Sequence, residues 1–220
     1  HELRTPLAVV SLLAENLADG LYNDKSTAEV AGQIIDETNR LATRVDELLL
    51  LSRPTNNSTK SQFEPEEAIL DTLVQWAPRY KSANIQLSVD IAPTGLVYGD
   101  QLALRDAIGA LLDNAYKYIN PSQKKPGVWL SLTQVGSEAV LEIADNGLGV
   151  PKEMRVDIFE QFVRIEGDHR GTSGGYGLGL SQVKRTVSAH NGTVTCTEGT
   201  DGGARFTLTL PISTETNTEE

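Results

Sequence analysis

The 220 residues hold one cysteine, one methionine and two tryptophans. Cys196 has no second thiol with which to close an internal disulfide, so the expectation is a small buried residue in a reducing compartment. Basic residues are also scarce. Nineteen Lys and Arg stand against thirty Asp and Glu, a formal net charge of -11. A nucleic-acid backbone is clasped by clustered cations, so no nucleic-acid partner is expected. No apolar run approaches the ~18 residues that cross a bilayer, and no secretory leader is recognisable. The chain begins at His1 without an initiator Met, which reads as a fragment. Its expected location is cytoplasmic, with any membrane anchor of the parent in parts absent from this sequence. There is no Gly-Lys-Ser/Thr of a Walker loop, no glycine spacing of a dinucleotide fingerprint and no internal repeat. The remainder is ordinary for a globular protein: 39% apolar and 22% charged.

Two helical patterns come first. Leu3, Leu7, Val10, Ala14, Leu17 and Leu21 form a narrow apolar seam of the bundle type. Asp19-Gly20 and Asn23-Asp24 break it. Val30, Ile34, Leu41, Val45 and Leu48 mark a second helix. Two helices bury too little to stand alone, so residues 1–53 are expected to pair with a second copy as a four-helix bundle, a homodimer. Residues 54–62 carry Pro, Thr, Asn and Ser and read as a linker. Residues 63–213 form a second domain. Helices are expected at Glu66–Tyr80, Asp100–Tyr118 and Leu178–His190. Leu102, Ala107, Leu111 and Ala115 are core candidates of the second of these. Strands are expected at Ile85–Ile91, Leu96–Tyr98, Val128–Gln134, Ala139–Ala144, Gly192–Thr197 and Ala204–Leu210. The fold class is α+β with two domains, the second an α/β layer rather than an alternating βαβ array. Residues 214–220 are a Thr- and Glu-rich tail expected to fray.

Two glycine clusters stand out. Asp145-Asn146-Gly147-Leu148-Gly149 follows a strand, where glycine permits close approach of a ligand and Asp145 suits an exocyclic amine. A simple turn explains it equally well when taken alone. Gly174-Gly175-Tyr176-Gly177-Leu178-Gly179-Leu180 leads into a helix, whose free N–H groups suit phosphate. The long stretch between them reads as a lid. Asn114 and Lys117 share a helix face, and their chemistry suits Mg²⁺ and phosphate. A solvated face is the blander reading of that pair, but the downstream glycines favour the sharper one.

With these residues in place, the chain resembles the transmitter core of a sensor histidine kinase from a two-component system. His1–Leu7 is similar to the H box of that family and residues 111–118 to its N box. Residues 145–149 resemble the G1 box, 159–164 the F box and 175–180 the G2 box. The resemblance implies a helical phosphotransfer hairpin joined to an ATPase sandwich of the gyrase, chaperone and histidine-kinase type. It implies ATP and Mg²⁺ as cofactors and the receiver domain of a response regulator as partner. His1 would accept the γ-phosphoryl group and pass it to an aspartate of the regulator. Asp145 would read adenine, Asn114 would hold Mg²⁺, and Lys117 would contact phosphate with Tyr118 beside it. Gly147, Gly149, Gly175, Gly177 and Gly179, with Leu178, would shape the pocket and hinge the lid. Phe159 and Phe162 would anchor the lid, with Arg164 nearby. Two positions depart from the family pattern: Ala110 stands where a second Asn is usual, and Gln161 where an Arg is frequent.

At the acceptor, Glu2 is placed to hold one imidazole nitrogen so that the other attacks. Thr5 lies one turn after His1, and the resemblance implies that it positions a water for dephosphorylating the regulator. Pro6 lacks the N–H that would bond the Glu2 carbonyl, so a bend is expected there. His169 and His190 are expected to be exposed or capping residues. A degenerate kinase acting as a nucleotide-binding scaffold is the alternative, supported by Ala110 and Gln161. A gyrase- or chaperone-type ATPase is disfavoured, because such enzymes activate water with a carboxylate near position 110.

Overall fold

The computed structural model describes residues 4–20, 27, 29–35, 37–38, 41, 60–120, 122–165 and 177–213. The chain divides into two compact units, His1–Arg53 and Pro54–Glu220.

In the first unit, helix α1 spans Arg4–Ala18. It stops where the sequence supplies a glycine. Gly20 adopts φ 66°, a left-handed conformation that costs glycine little, and its N–H bonds the Leu17 carbonyl at 3.2 Å. Residues 29–35 are helical again, and Thr38 Oγ1 donates to the Ile34 carbonyl at 2.7 Å. Val30 is buried, whereas Leu7, Val9, Leu12 and Ile35 are exposed. Along the expected seam, Val10 and Leu17 are half-buried while Leu7 and Ala14 face outward. The turn at residues 21–26, the far part of the second helix at 42–53 and the carbonyl of Glu2 that bears on the expected bend lie outside the described residues.

The second unit is a five-stranded mixed sheet with helices packed on it. Its strands are β2 (Gln86–Ile91), β4 (Gly127–Val135), β5 (Glu138–Asp145), β6 (Thr193–Glu198) and β7 (Ala204–Pro211), in the spatial order β2-β4-β5-β7-β6. Only the β2–β4 pair is parallel; the others are antiparallel. The period of two in the sequence decides which face is covered. Val128, Leu130 and Leu132, then Ala139, Leu141 and Ile143, then Phe206, Leu208 and Leu210 all turn inward and are buried. Burying a side chain of that size contributes on the order of 1.5–3 kcal/mol.

Against the sheet lie α2 (Pro65–Ser82), α3 (Gln101–Lys117) and α4 (Gly179–Ala189). Pro65 opens α2, where a missing N–H does no harm. Asp100 caps α3 through Oδ1 on the Ala103 N–H at 3.0 Å. Leu104, Ile108, Leu111, Leu112 and Ala115 carry α3 into the core. Leu102 does not belong to that face. It is 60% exposed, because the helix places it opposite Leu104. Trp76, Tyr80 and Tyr116 cluster where α2 meets α3. The Tyr80 hydroxyl donates to the Leu112 carbonyl at 2.7 Å. Burial, with the charges of Asp145 and Asp113, pushes its pKa upward, so it remains a donor.

A second small sheet pairs β1 (Ser61–Phe63) with β3 (Val97–Gly99). Ser61 and Gln62, read from sequence as the end of a linker, are therefore strand residues. Ile212 bridges to Val97, and Gln62 Nε2 donates to Ser213 Oγ at 3.2 Å.

Candidate functional site

The C-terminal end of β5 is built around Asp145. Its Oδ1 accepts the Gly147 N–H at 2.8 Å and the Ala204 N–H at 3.1 Å. Both bonds end on one oxygen, and among the described residues none donates to Oδ2. Burial raises the pKa of the carboxyl, and the N–H bonds from Ala204 and Gly147 oppose that rise. The backbone around it has no room for side chains. A Cβ on Gly203 would land on the Asp145 carbonyl oxygen, and one on Gly199 would lie 2.6 Å from it. A Cβ on Gly147 would meet the Tyr118 carbonyl, and one on Gly149, at φ 72°, the Gly202 carbonyl. The adjacent Asn146 is structural. Its Oδ1 accepts the Gly127 N–H at 2.8 Å and its Nδ2 donates to the Lys125 carbonyl at 2.9 Å, so it staples the loop before β4 to the end of β5. A polar side chain read as one letter of a glycine motif gave no sign of this.

The turn is tied directly to α3. The Leu148 N–H bonds the carbonyl of Tyr118 at 3.0 Å, and Tyr118 is the C-cap of that helix, with its own N–H on the Asn114 carbonyl at 2.9 Å. Asn114 is half-buried and Lys117 exposed. The Lys117 ammonium pairs with the Asp113 carboxylate, which shares its helix face. Ala110, one turn back from Asn114, packs against the core.

The two phenylalanines of residues 159–164 part company. Phe159 is buried with its ring edge-on to Phe206, centroids 6.2 Å apart, a favourable geometry for an aromatic pair. Phe162 is 56% exposed at φ 66°, so it does not pack in the core as an anchor. Its backbone does the joining: the Phe162 N–H bonds the Gly177 carbonyl at 3.1 Å. Gly177 sits at φ 74°, where a Cβ would come 2.6 Å from the Val163 carbonyl oxygen. Arg164 is exposed. Glu160 reaches α4 through Lys184 at 2.8 Å.

Leu178 is buried and precedes α4 without a side-chain cap on the helix. The first-turn N–H groups of a helix lack intrahelical partners and favour an anion. Gly179 has open space where a Cβ would stand. At the other end of α4, His190 is the C-cap, one of the two roles expected from sequence, and it is not exposed. It is buried, accepts the Asp100 N–H on Nε2 at 3.0 Å and has Nδ1 2.8 Å from the Thr186 carbonyl. The nearby Gly99 makes this fit possible, since a Cβ there would strike the imidazole. The sequence hides this contact because the partners lie ninety residues apart. Cys196 is buried and its thiol is pushed up to about 11, chiefly by desolvation, which keeps it unreactive.

The structure thus brings Asn114, Tyr118, Gly147, Gly149 and Asp145 together at one end of the sheet, with Gly177, Leu178 and Gly179 opening α4. His1, Glu2, Gly175 and His169 lie outside the described residues, as does the side chain of Thr5 in α1.

Residues 99–214 match the model of the histidine kinase-, DNA gyrase B- and HSP90-like ATPases, and residues 1–57 match the His Kinase A (phospho-acceptor) domain. The sensor-like histidine kinase SenX3 of Mycolicibacterium smegmatis is 33% identical over 216 residues, 96% of this chain and 55% of that protein. The signal transduction histidine-protein kinase/phosphatase MprB of Mycolicibacterium vanbaalenii is 32% identical over 222 residues, 96% of this chain and 44% of the relative. The chain therefore spans about half the length of the curated relatives it matches. The histidine kinase ThkA, solved in complex with response regulator protein TrrA, superposes with a TM-score of 0.72 at 19% identity, over 97% of this chain and 59% of ThkA; at that identity the likeness is one of fold. Two domain models in the expected order and relatives a third identical over nearly every residue place the chain in the sensor histidine kinase family.

Proposed function

We propose that this chain binds MgATP in the second unit, transfers the γ-phosphoryl group to His1 and passes it from there to an aspartate of a response regulator. The observation that carries the nucleotide reading is the turn at Asp145. It holds a buried carboxylate by one oxygen only, beside backbone too crowded for any residue but glycine. A carboxylate oxygen with no donor is what the exocyclic amine of adenine needs. Across the site, the uncapped start of α4 suits the phosphates and the carboxamide of Asn114 suits Mg²⁺. Mg²⁺ would supply charge neutralisation at the phosphates. Lys117 has to exchange Asp113 for phosphate to take part, and both groups of that pair are only about one-third exposed. Gly149 and Gly177 let the flanking segments pass close to other backbone.

At the acceptor, Glu2 would fix the imidazole tautomer and raise the nucleophilicity of the free nitrogen. Thr5 would position water for the reverse duty, removing phosphate from the regulator. The name of MprB as a kinase/phosphatase supports that second duty. The ThkA complex with TrrA supports a response regulator as partner. The outward Leu7 and Leu12 support a homodimer in which a second copy covers them. A cytoplasmic location, with anchoring by parts of a longer protein, fits an ATP-using unit of this kind.

The deciding measurement is incubation with γ-labelled ATP and Mg²⁺ beside a His1→Ala control. Acid-labile, alkali-stable label lost in the control is the expected result. Nucleotide binding without any label would instead leave a scaffold.

A further inference from the structure

Helices α3 and α4 run antiparallel, because the Asp100 N–H at the start of one bonds His190 at the end of the other. At about 1.5 Å of rise per residue, counting inward from that bond sets Gln182 level with Ile108 and Gly179 level with Leu111. The facing sides follow from contacts made elsewhere. On α3, the side turned to α2 is marked by Arg105, whose carbonyl accepts from Thr72, and by Leu112, whose carbonyl accepts from Tyr80. The buried Leu104, Ile108 and Leu111 mark the side turned to the sheet. The remaining lateral face carries Ala107, Ala110 and Asn114 and is turned to α4. On α4, Lys184 pairs with Glu160 on one flank, so Gln182 lies on the flank turned to α3.

Gln182 holds an unsatisfied atom there. Its Oε1 is buried and accepts no hydrogen bond from the described residues. A buried acceptor left open in a folded chain calls for a reason. Helical side chains lean toward the N-terminus of their own helix, so this carboxamide reaches back toward Gly179, toward the level of Ala110. Position 110 is where the family usually has a second Asn, and alanine has no oxygen to offer.

We infer that Gln182 supplies from the neighbouring helix the carboxamide oxygen that Ala110 cannot, and that it acts with Asn114 on the hydrated Mg²⁺ of bound MgATP. The inference rests on the nucleotide reading above. An oxygen donor placed on the neighbouring helix keeps the cation's shell without changing the turn at Asp145. Magnesium retains several waters when bound to proteins, so a long carboxamide serves equally well through one of them.

The test is calorimetric titration of the whole chain with ATP, once in Mg²⁺ and once in EDTA. Gln182→Leu is expected to lose about tenfold of the affinity gained from Mg²⁺, while binding of Mg²⁺-free ATP stays within twofold. Adding Ala110→Asn to that variant is expected to restore the gain. Gln182→Glu keeps an oxygen and is expected to keep the gain, which covers the case in which the leucine variant folds poorly. An undiminished Mg²⁺ effect in Gln182→Leu overturns the inference, as does an equal loss with and without Mg²⁺, the mark of a packing role. Loss of the gain in a folded Gln182→Glu overturns it too. Wild-type protein that binds no ATP at all overturns the nucleotide reading, and this inference with it.

Discussion

The glycines around Asp145 and the glycine that opens α4 belong to the same proposed site but stand in opposite surroundings. At Gly147, Gly199 and Gly203 the chain itself occupies the space where a side chain would go. At Gly179 none of the described residues does. The first set is required by folding, because polypeptide is packed directly on polypeptide. At Gly179 no packing by the described residues calls for glycine, which leaves the position open for the phosphate contact proposed above.

Substitutions separate the two directly. Gly203→Ala drives a methyl into the Asp145 carbonyl, and about 3 kcal/mol of stability should be lost in urea unfolding. A loss under about 1 kcal/mol would show that the turn can move aside and would erase the contrast. Next in size is Asp145→Asn. The amide oxygen still accepts from Gly147 and Ala204, but a donor now stands where Oδ2 faced the ligand. ATP affinity should fall by roughly thirtyfold with no loss of stability, since a buried charge has been removed.

Titration sharpens the same point. Burial raises the folded-state pKa of Asp145 above its unfolded value. Below the unfolded value both states are protonated, and the group's contribution to stability is fully present. As pH rises through the folded value, the buried carboxyl must ionise and that contribution is lost. ATP binding needs the ionised acceptor, so it weakens as pH falls through the same window. Stability and affinity therefore move in opposite directions with pH, and Asp145→Asn should flatten both curves. The smallest effect belongs to Gly179→Ala. The helix should gain about 0.5 kcal/mol, while ATP binding weakens severalfold. Unchanged ATP affinity there would mean that no phosphate approaches the start of α4.

What could be read in the sequence follows the same division. Periodicity located the strands of the large sheet and the three helices within two residues, because their inward positions are apolar and regular. The glycine motifs marked the site because their chemistry is local. Contacts between distant residues left no such trace. Leu102 looked like core by residue type, yet the turn of the helix exposes it. β1 is three residues long and sits beside polar sequence, so it read as linker. Phe162 looked like an anchor because it is aromatic, and its positive φ was invisible. His190 caps an ordinary helix, and its partner Asp100 lies ninety residues earlier; Gln182 on the same helix stands out only by a buried oxygen that no described residue bonds.

The small sheet of β1 and β3 has a consequence for how such a unit can be carried. The segment that enters at Ser61 pairs with β3, and the segment that leaves at Ile212 and Ser213 meets Val97 of β3 and Leu96 just before it. Entry and exit are therefore side by side. A unit arranged this way hangs from a longer chain at a single point, like a pendant on one link. Whatever is fused before residue 61 or after residue 213 attaches at the same corner of the unit.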